Sequence, residues 1–268
     1  MFGAIYGDVI GSYYEVHTTK DYNFDFHSES TFTDDSLLTT AVCKAILNNP
    51  SDITRFELKK RALEYAVQYK RYYSLFPDAG FGTMFAEWAK NNEIKVIHSY
   101  GNGGAMRAVP IGYAYNTLEQ VMLQAKASCL YTHKNKEAIT GAMAVAGAVF
   151  MARNGASKEE IRTFAGKLFG FDLKITLEQL KQNFSFDSRT SYSVPPAIIA
   201  FIESTDYESA IRNAVSLGGD ADTIACIAGG LAEAFYKYIP PKIKSFCDTR
   251  LDYSIRSTVR EFEEKYGI

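Results

Sequence analysis

The stretch Leu217-Gly218-Gly219-Asp220-Ala221-Asp222-Thr223-Ile224-Ala225 constrains the fold most. From Asp222 to Ala234 almost every residue is small and apolar, so a helix here is apolar nearly all round and needs neighbours on every side. Two carboxylates and a hydroxyl stand at its mouth, within four positions. A central helix that begins in acids brings negative charge to the middle of a protein, where it needs a partner.

A second segment has the same character. Thr33-Asp34-Asp35-Ser36 precedes Leu37, Leu38, Ala41, Val42, Ala45 and Ile46, which recur at the spacing of a helix with one buried face. At a helix start the dipole and the free backbone donors favour negative charge, so both aspartates are expected to be ionised and ready to bind metal. Ordinary capping would explain one such Asp. The two stretches together offer four carboxylates and two hydroxyls, the oxygen donors that a pair of hard divalent cations takes; no paired His or Cys lies nearby, which favours Mg or Mn over zinc.

The rest of the chain predicts an all-α fold. Gly3, Gly7 and Gly11 fall at intervals of four and share one face of an opening helix suited to close packing. Lys20 to Phe32 is polar and aromatic without helical period, a long surface loop with room for a short hairpin. After Asn48-Asn49-Pro50, a cap at Ser51 or Asp52 starts a helix to about Tyr73, its stripe drawn from Phe56, Ala62, Leu63, Ala66 and Val67. A short helix near Met84 to Ala89 carries Trp88, read as core.

Ser99-Tyr100-Gly101-Asn102-Gly103-Gly104-Ala105-Met106-Arg107 is either a plain Asn-Gly turn or a loop whose amides can approach an anion. Capping-box starts follow at Thr117, Ser157, Thr176 and Thr205, with Asn154-Gly155 as a stop before the second. Gly141 to Ala148 reads as another small-residue central helix. Val194-Pro195-Pro196 opens a helix with its prolines in the first turn, and Asp252 to Tyr266 is a charged amphipathic outer helix. No convincing period-2 run, internal repeat or low-complexity segment occurs.

Composition narrows the function classes. Twenty-nine basic against 31 acidic residues, with no long Lys/Arg cluster, argue against binding nucleic acid through its backbone or an anionic membrane. The longest apolar run, around Ala142 to Ala152, is too short to span a bilayer. Cys43, Cys129, Cys226 and Cys247 lack CxxC spacing and read as buried thiols; with an acid at position 8 and no basic leader, the expected location is the cytoplasm.

Five motifs occur in one order: Gly7-Asp8-Val9-Ile10-Gly11-Ser12 with Glu15, Phe32-Thr33-Asp34-Asp35-Ser36, Ser99-Tyr100-Gly101-Asn102-Gly103 with Ala105-Met106-Arg107, Thr132-His133, and Gly218 to Ala225. In order and spacing the chain resembles the ADP-ribosylglycohydrolase family, which includes the dinitrogenase reductase-activating glycohydrolase and the ADP-ribosyl-arginine and ADP-ribosyl-serine hydrolases. The resemblance runs from residue 2 to about 235. It implies a compact, single-domain orthogonal helical bundle over 1–268, with two Mg2+ or Mn2+ ions in a central cleft. It also implies metal ligation by Thr33, Asp34, Asp35, Asp220, Asp222 and Thr223, and substrate contacts from Ser99, Tyr100, Gly101, Asn102, Gly103 and His133. Glu15 and Asp35 become the candidate catalytic acids.

Without the resemblance, His133 reads as an ordinary helix-end residue and Glu15 as a solvated loop acid. Ser36, Gly104 and Ala221 depart from the family's usual residues, and none of these removes a charged ligand. The expected reaction is water attack at C1 of the distal ribose, releasing ADP-ribose from a protein side chain or a small acceptor, by a monomer. Arginine, serine, an acetyl ester and a nucleobase are all open as acceptors. The alternatives are an ADP-ribose-binding or crystallin-like structural protein on the same scaffold, and a hydrolase of another nucleotide-like substrate.

Overall fold

Glycine fixes how the central helices meet. In the computed structural model, which describes residues 1–170 and 173–268, a Cβ built on Gly7 would lie 2.1 Å from the Ala225 carbonyl oxygen, and one on Gly11 would lie 2.5 Å from that of Ala221. The first helix, α1 (Phe2–Val16), therefore lies backbone to backbone against Ala221–Tyr236, as the four-residue glycine spacing predicts. This contact sets Asp8 and Glu15 of one helix beside Asp220 and Asp222 at the start of the other.

Between them the chain runs through α2 (Asp34–Asn48), α3 (Leu58–Leu75), α4 (Thr83–Lys90), a 3₁₀ turn (Asn102–Gly104), α5 (Val109–Ala114), α6 (Leu118–Cys129) and α7 (Lys136–Arg153). It continues through α8 (Lys158–Phe169), α9 (Leu177–Lys181), α10 (Thr190–Ile202), α11 (Tyr207–Val215) and α12 (Ala221–Tyr236), and ends with α13 (Pro241–Asp248) and α14 (Tyr253–Tyr266). No strand occurs among the described residues; the fold is all-α, and its apolar core runs from Met1 to Phe262. The small-residue helices α7 and α12 are central, and the Cβ of a residue at Gly147 would meet the Phe164 ring at 2.4 Å.

Most helix starts lie where local chemistry puts them. Thr117, Ser157 and Thr176 are N-caps, with reciprocal capping boxes at the last two. Gly155 takes φ +86° after α7, and Asp252 caps α14, whose Ile255, Val259 and Phe262 face inward. Trp88 is buried and donates through Nε1 to the Lys95 carbonyl at 2.6 Å.

Several expectations are corrected. The fourth capping box belongs to Asp206 with Ser209, one residue beyond Thr205. The helix expected from a cap at Ser51 or Asp52 begins at Leu58, because Gln120 clamps Ile53 outside the helix, accepting its N–H at 2.9 Å and donating to its carbonyl at 2.8 Å. Phe56 is 99% exposed and Leu63 and Val67 are also exposed; Ala62 and Ala66 share the buried face with Tyr65, Tyr69, Tyr72 and Tyr73 instead.

Pro195 and Pro196 lie inside α10 rather than in its first turn. That helix begins earlier because tertiary groups receive its first donors: Thr190 N–H reaches the Tyr100 carbonyl at 3.3 Å and Ser191 N–H reaches Glu137 Oε1 at 2.8 Å. The prolines withhold the donors that Ser191 and Tyr192 carbonyls would otherwise receive.

Lys20 to Phe32 is a loop without a hairpin, tied down at both sides. Lys20 Nζ donates to the carbonyls of Lys181, Phe184 and Leu217, and Arg212 donates to those of Tyr22 and Phe24. The loop is thereby fastened next to the Gly218-Gly219 turn, where both glycines have positive φ and lead into Asp220.

Candidate functional site

A cleft of about 360 Å³ opens where the starts of α2 and α12, the end of α1 and the glycine loop converge. Glu15, Asp34, Asp35, Asp220 and Asp222 line it with Thr33 and Thr223, and among the described residues neither lysine nor arginine does. The two distant acidic segments of the sequence thus form one site.

Asp8 organises it. The acid lies on the glycine face of α1 and is fully buried; Oδ1 accepts Thr33 Oγ1–H at 2.7 Å, and Oδ2 accepts the N–H groups of Thr33 (3.0 Å) and Ser36 (3.1 Å) and the Ser36 hydroxyl. It therefore satisfies the orphan donors at the start of α2 from another helix. Thr33 Oγ1 in turn accepts the Asp35 N–H at 3.3 Å. Sequence reasoning placed Asp8 in a motif without giving it a role; an acid set among the small residues of a tightly packed helix face is the signal that marks it.

The remaining carboxylates are pinned in the same manner. Asn102 Nδ2 donates to Asp220 Oδ2 at 2.7 Å and to Ser193 Oγ at 2.8 Å, so this side chain holds the metal-candidate acid. Thr223 Oγ1 donates to Asp35 Oδ2 at 3.2 Å, and Asp222 Oδ1 accepts the Thr223 N–H at 2.8 Å. Asp35 Oδ1 is buried with no hydrogen-bond partner among the described residues. Ligand atoms of Asp8, Asp35 and Asp222 lie within 4.8 Å of one another, as do those of Glu15, Asp220 and Asp222. Asp222 belongs to both groups; Asp34 lines the cleft outside them.

Burial dominates the electrostatics. It pushes the carboxyl groups of Asp34, Asp35 and Asp222 well above the usual range, with repulsion from Asp8 and Asp220 adding to it for the first two and from Asp220 and Asp35 for the third. Glu15 is raised by burial, then by Asp220 and Asp8. Burial and the crowding of several acids thus oppose the helix-start contribution at Asp34 and Asp35. A dipole worth about half a charge is outweighed when several acids share one buried space.

The glycine loop forms the opposite wall. Ser99, Gly101, Asn102, Gly103 and His133 all contribute to it. Asn102 N–H donates to the Ser188 carbonyl at 2.9 Å, and short bridges pair His98 with His133 and Gly101 with Arg189. Tyr100 stands apart: its side chain is exposed outside the cleft lining, while its carbonyl accepts from Thr190. His133 is buried, and burial followed by the nearby Arg107 charge holds its imidazole well below its ordinary pKa, hence neutral.

An all-α scaffold whose first and twelfth helices bring carboxylates together beneath a glycine-rich loop defines a class of helical glycohydrolases. The chain belongs to the ADP-ribosylglycohydrolase family, whose profile matches residues 1–266. Human ADP-ribosylhydrolase ARH3 is 27% identical over 92% of this chain and 88% of its own length. The mouse ADP-ribosylhydrolase ARH3 is 26% identical, over 98% and 91%. A solved chain described as an ADP-ribosylglycohydrolase-related protein complex shares the fold with a TM-score of 0.71 at 22% identity, covering 98% of this chain and 96% of that one. Membership makes the protein a hydrolase of ADP-ribose linkages. No helix among the described residues is long and apolar enough to cross a membrane, and the four cysteines are free and buried.

Proposed function

We propose that this protein, acting as a single-domain monomer in the cytoplasm, is a metal-dependent hydrolase that removes ADP-ribose from a modified protein side chain or a small acceptor. The observation that carries the metal dependence is the cleft, lined among the described residues by five carboxylates and by no lysine or arginine. The donor set fits a hard divalent cation: all oxygen, with Asp35 Oδ1 buried and unpartnered. Asp35, Asp220 and Asp222 would hold two ions, Mg2+ or Mn2+, assisted by Thr33, Asp34 and Thr223. When bound, such ions supply Lewis-acid stabilisation and orient ribose hydroxyls.

The chain's own residues then divide the work. Ser99, Gly101 and Gly103 line the wall offered to the diphosphate and the adjoining ribose, with the Gly101 N–H held by Ser99 Oγ at 3.1 Å and Tyr100 at its outer edge. Asn102 holds Asp220 in place. Bond cleavage at C1 of the distal ribose develops positive charge on the sugar, which the acidic floor stabilises. Asp35 is committed by its burial and its bond from Thr223. Glu15 is half-buried, lines the cleft and accepts no hydrogen bond among the described residues, which favours it over Asp35 as the acid that takes a proton from the attacking water.

The test is ADP-ribose release from substrates modified on arginine, serine, acetyl ester and nucleobase, with Mg2+, with Mn2+ and with EDTA. Release should require the metal and vanish in Asp220→Ala/Asp222→Ala. Glu15→Gln at the wild-type rate would take that residue out of the mechanism. Binding of ADP-ribose without release from any substrate would favour the binding-protein reading.

A further inference from the structure

The only arginine in the glycine-loop motif lies behind the site rather than in it. Arg107 is fully buried, its guanidinium 3.9 Å from the centroid of the Tyr69 ring. Nη2 donates to the Ser128 carbonyl at 3.0 Å and to Thr132 Oγ1 at 2.6 Å, while Nε and Nη1 find no acceptor among the described residues. The same Thr132 hydroxyl lies 2.9 Å from His133 Nδ1.

Hydrogen-bond accounting along this chain has one satisfactory solution. Guanidinium groups only donate, so Thr132 Oγ1 must accept from Arg107. The hydroxyl has one proton, and the partner in reach for it is His133 Nδ1. That nitrogen must then present its lone pair, which puts the imidazole proton on Nε2. With the proton on Nδ1 instead, Thr132 would receive two donors and its own proton would be left buried without an acceptor. The second ring nitrogen faces the ligand side: a Cβ on Gly103, in the cleft wall, would sit 2.9 Å from Nε2, and Nε2 has no protein partner among the described residues.

We infer that Arg107 and Thr132 are positioning residues that lock His133 as the Nε2–H tautomer, presenting a neutral hydrogen-bond donor to an accepting atom of the ADP-ribose unit. The ligand clause rests on the function proposed above; the tautomer does not. A neutral donor with a fixed proton recognises an oxygen or ring-nitrogen lone pair without adding a charge beside the acidic floor. Gly103 follows from this, since any side chain there would cover the donor.

The test combines nitrogen NMR of protein labelled with ¹⁵N-histidine and titration with ADP-ribose. His133→Gln assigns the resonance by its loss. In the wild-type protein Nδ1 should resonate as an unprotonated, pyridine-like nitrogen and Nε2 as a protonated one, and this should persist below pH 6.5, the ordinary histidine value. Thr132→Val, which keeps the shape and removes the hydroxyl, should release the tautomer and weaken ADP-ribose binding about five- to tenfold, the loss of one oriented hydrogen bond. Thr132→Ser should restore both. An Nδ1–H or imidazolium form in the wild type, or a Thr132→Val protein with unchanged tautomer and affinity, would overturn the inference. If the wild type shows the Nε2–H tautomer yet binds no ADP-ribose, the lock stands and the substrate reading falls.

Discussion

Gly7→Ala tests whether the α1–α12 contact builds the site. The new Cβ would lie 2.1 Å from Ala225 O, 2.5 Å from Ala225 C and 2.9 Å from Cys226 N, all backbone. Ordinary contact begins at 3.4 Å, so the helices must part by at least 1.3 Å at this point (3.4 − 2.1). No rotamer change can absorb that displacement. Overpacking against backbone belongs at the upper end of about 1–3 kcal/mol or beyond it, and the better helix propensity of alanine returns about 1 kcal/mol. The net expectation is a destabilisation of about 2–4 kcal/mol.

With an unfolding entropy of about 2.1 cal/mol/K per residue, this corresponds to a Tm lower by about 4–7 °C for a chain of this size. The assay is thermal unfolding followed by circular dichroism in EDTA and again in excess Mg2+ or Mn2+. Because Asp8 and Glu15 move with α1 while Asp220 and Asp222 move with α12, the variant should also gain less stability from metal than the wild type does. Gly82→Ala is the control: a Cβ there meets nothing within 4 Å, and Tm should stay within about 1 °C. A Gly7→Ala protein with the wild-type Tm and the wild-type metal response would refute the argument that this contact sets the carboxylate spacing.

Other consequences follow from the same geometry. In EDTA, the raised carboxyl groups of Asp34, Asp35 and Asp222 mean that the folded state binds more protons than the unfolded chain above the ordinary value of 3.8. Stability should therefore fall as pH rises through their raised values; Asp222→Asn should flatten that slope in urea titrations at several pH values, and a slope unchanged by the substitution would show that the cluster is not its source. Lys20→Met removes three carbonyl contacts and should speed limited proteolysis within the loop between α1 and α2, with global unfolding little changed. Phe56→Ser, at a 99% exposed position, should alter stability by no more than about 0.5 kcal/mol in urea unfolding; a loss of several kcal/mol would restore the buried stripe expected from sequence.

What could be read directly was local or periodic. Helix periodicity, the caps at Thr117, Ser157 and Thr176, and the glycine spacing of α1 each act within a few residues, so the all-α class and most helix starts were legible. The acids at Asp34, Asp35, Asp220 and Asp222 were legible as a group because charge at the mouths of apolar helices demands a common partner. Periodicity misjudged α3, where Leu63 and Val67 face outward, Phe56 falls before the helix and tyrosines fill the buried face, since aromatic side chains with a hydroxyl score as polar until a partner for the hydroxyl is known.

The amino-acid sequence by itself determined the helices, their apolar faces and the chemical types gathered at their starts, because those depend on groups a turn or two apart. Only the tertiary structure decided that Asp8 would hold Thr33 and Ser36, that the Asn102 side chain would donate to Asp220, and that Arg107 would act on His133 through Thr132. Apart from the bond between adjacent Thr132 and His133, these contacts join residues 25 to 118 positions apart. A carboxylate, amide or hydroxyl offers the same lone pairs and protons wherever it stands in a chain, and only its folded surroundings select which of them are used.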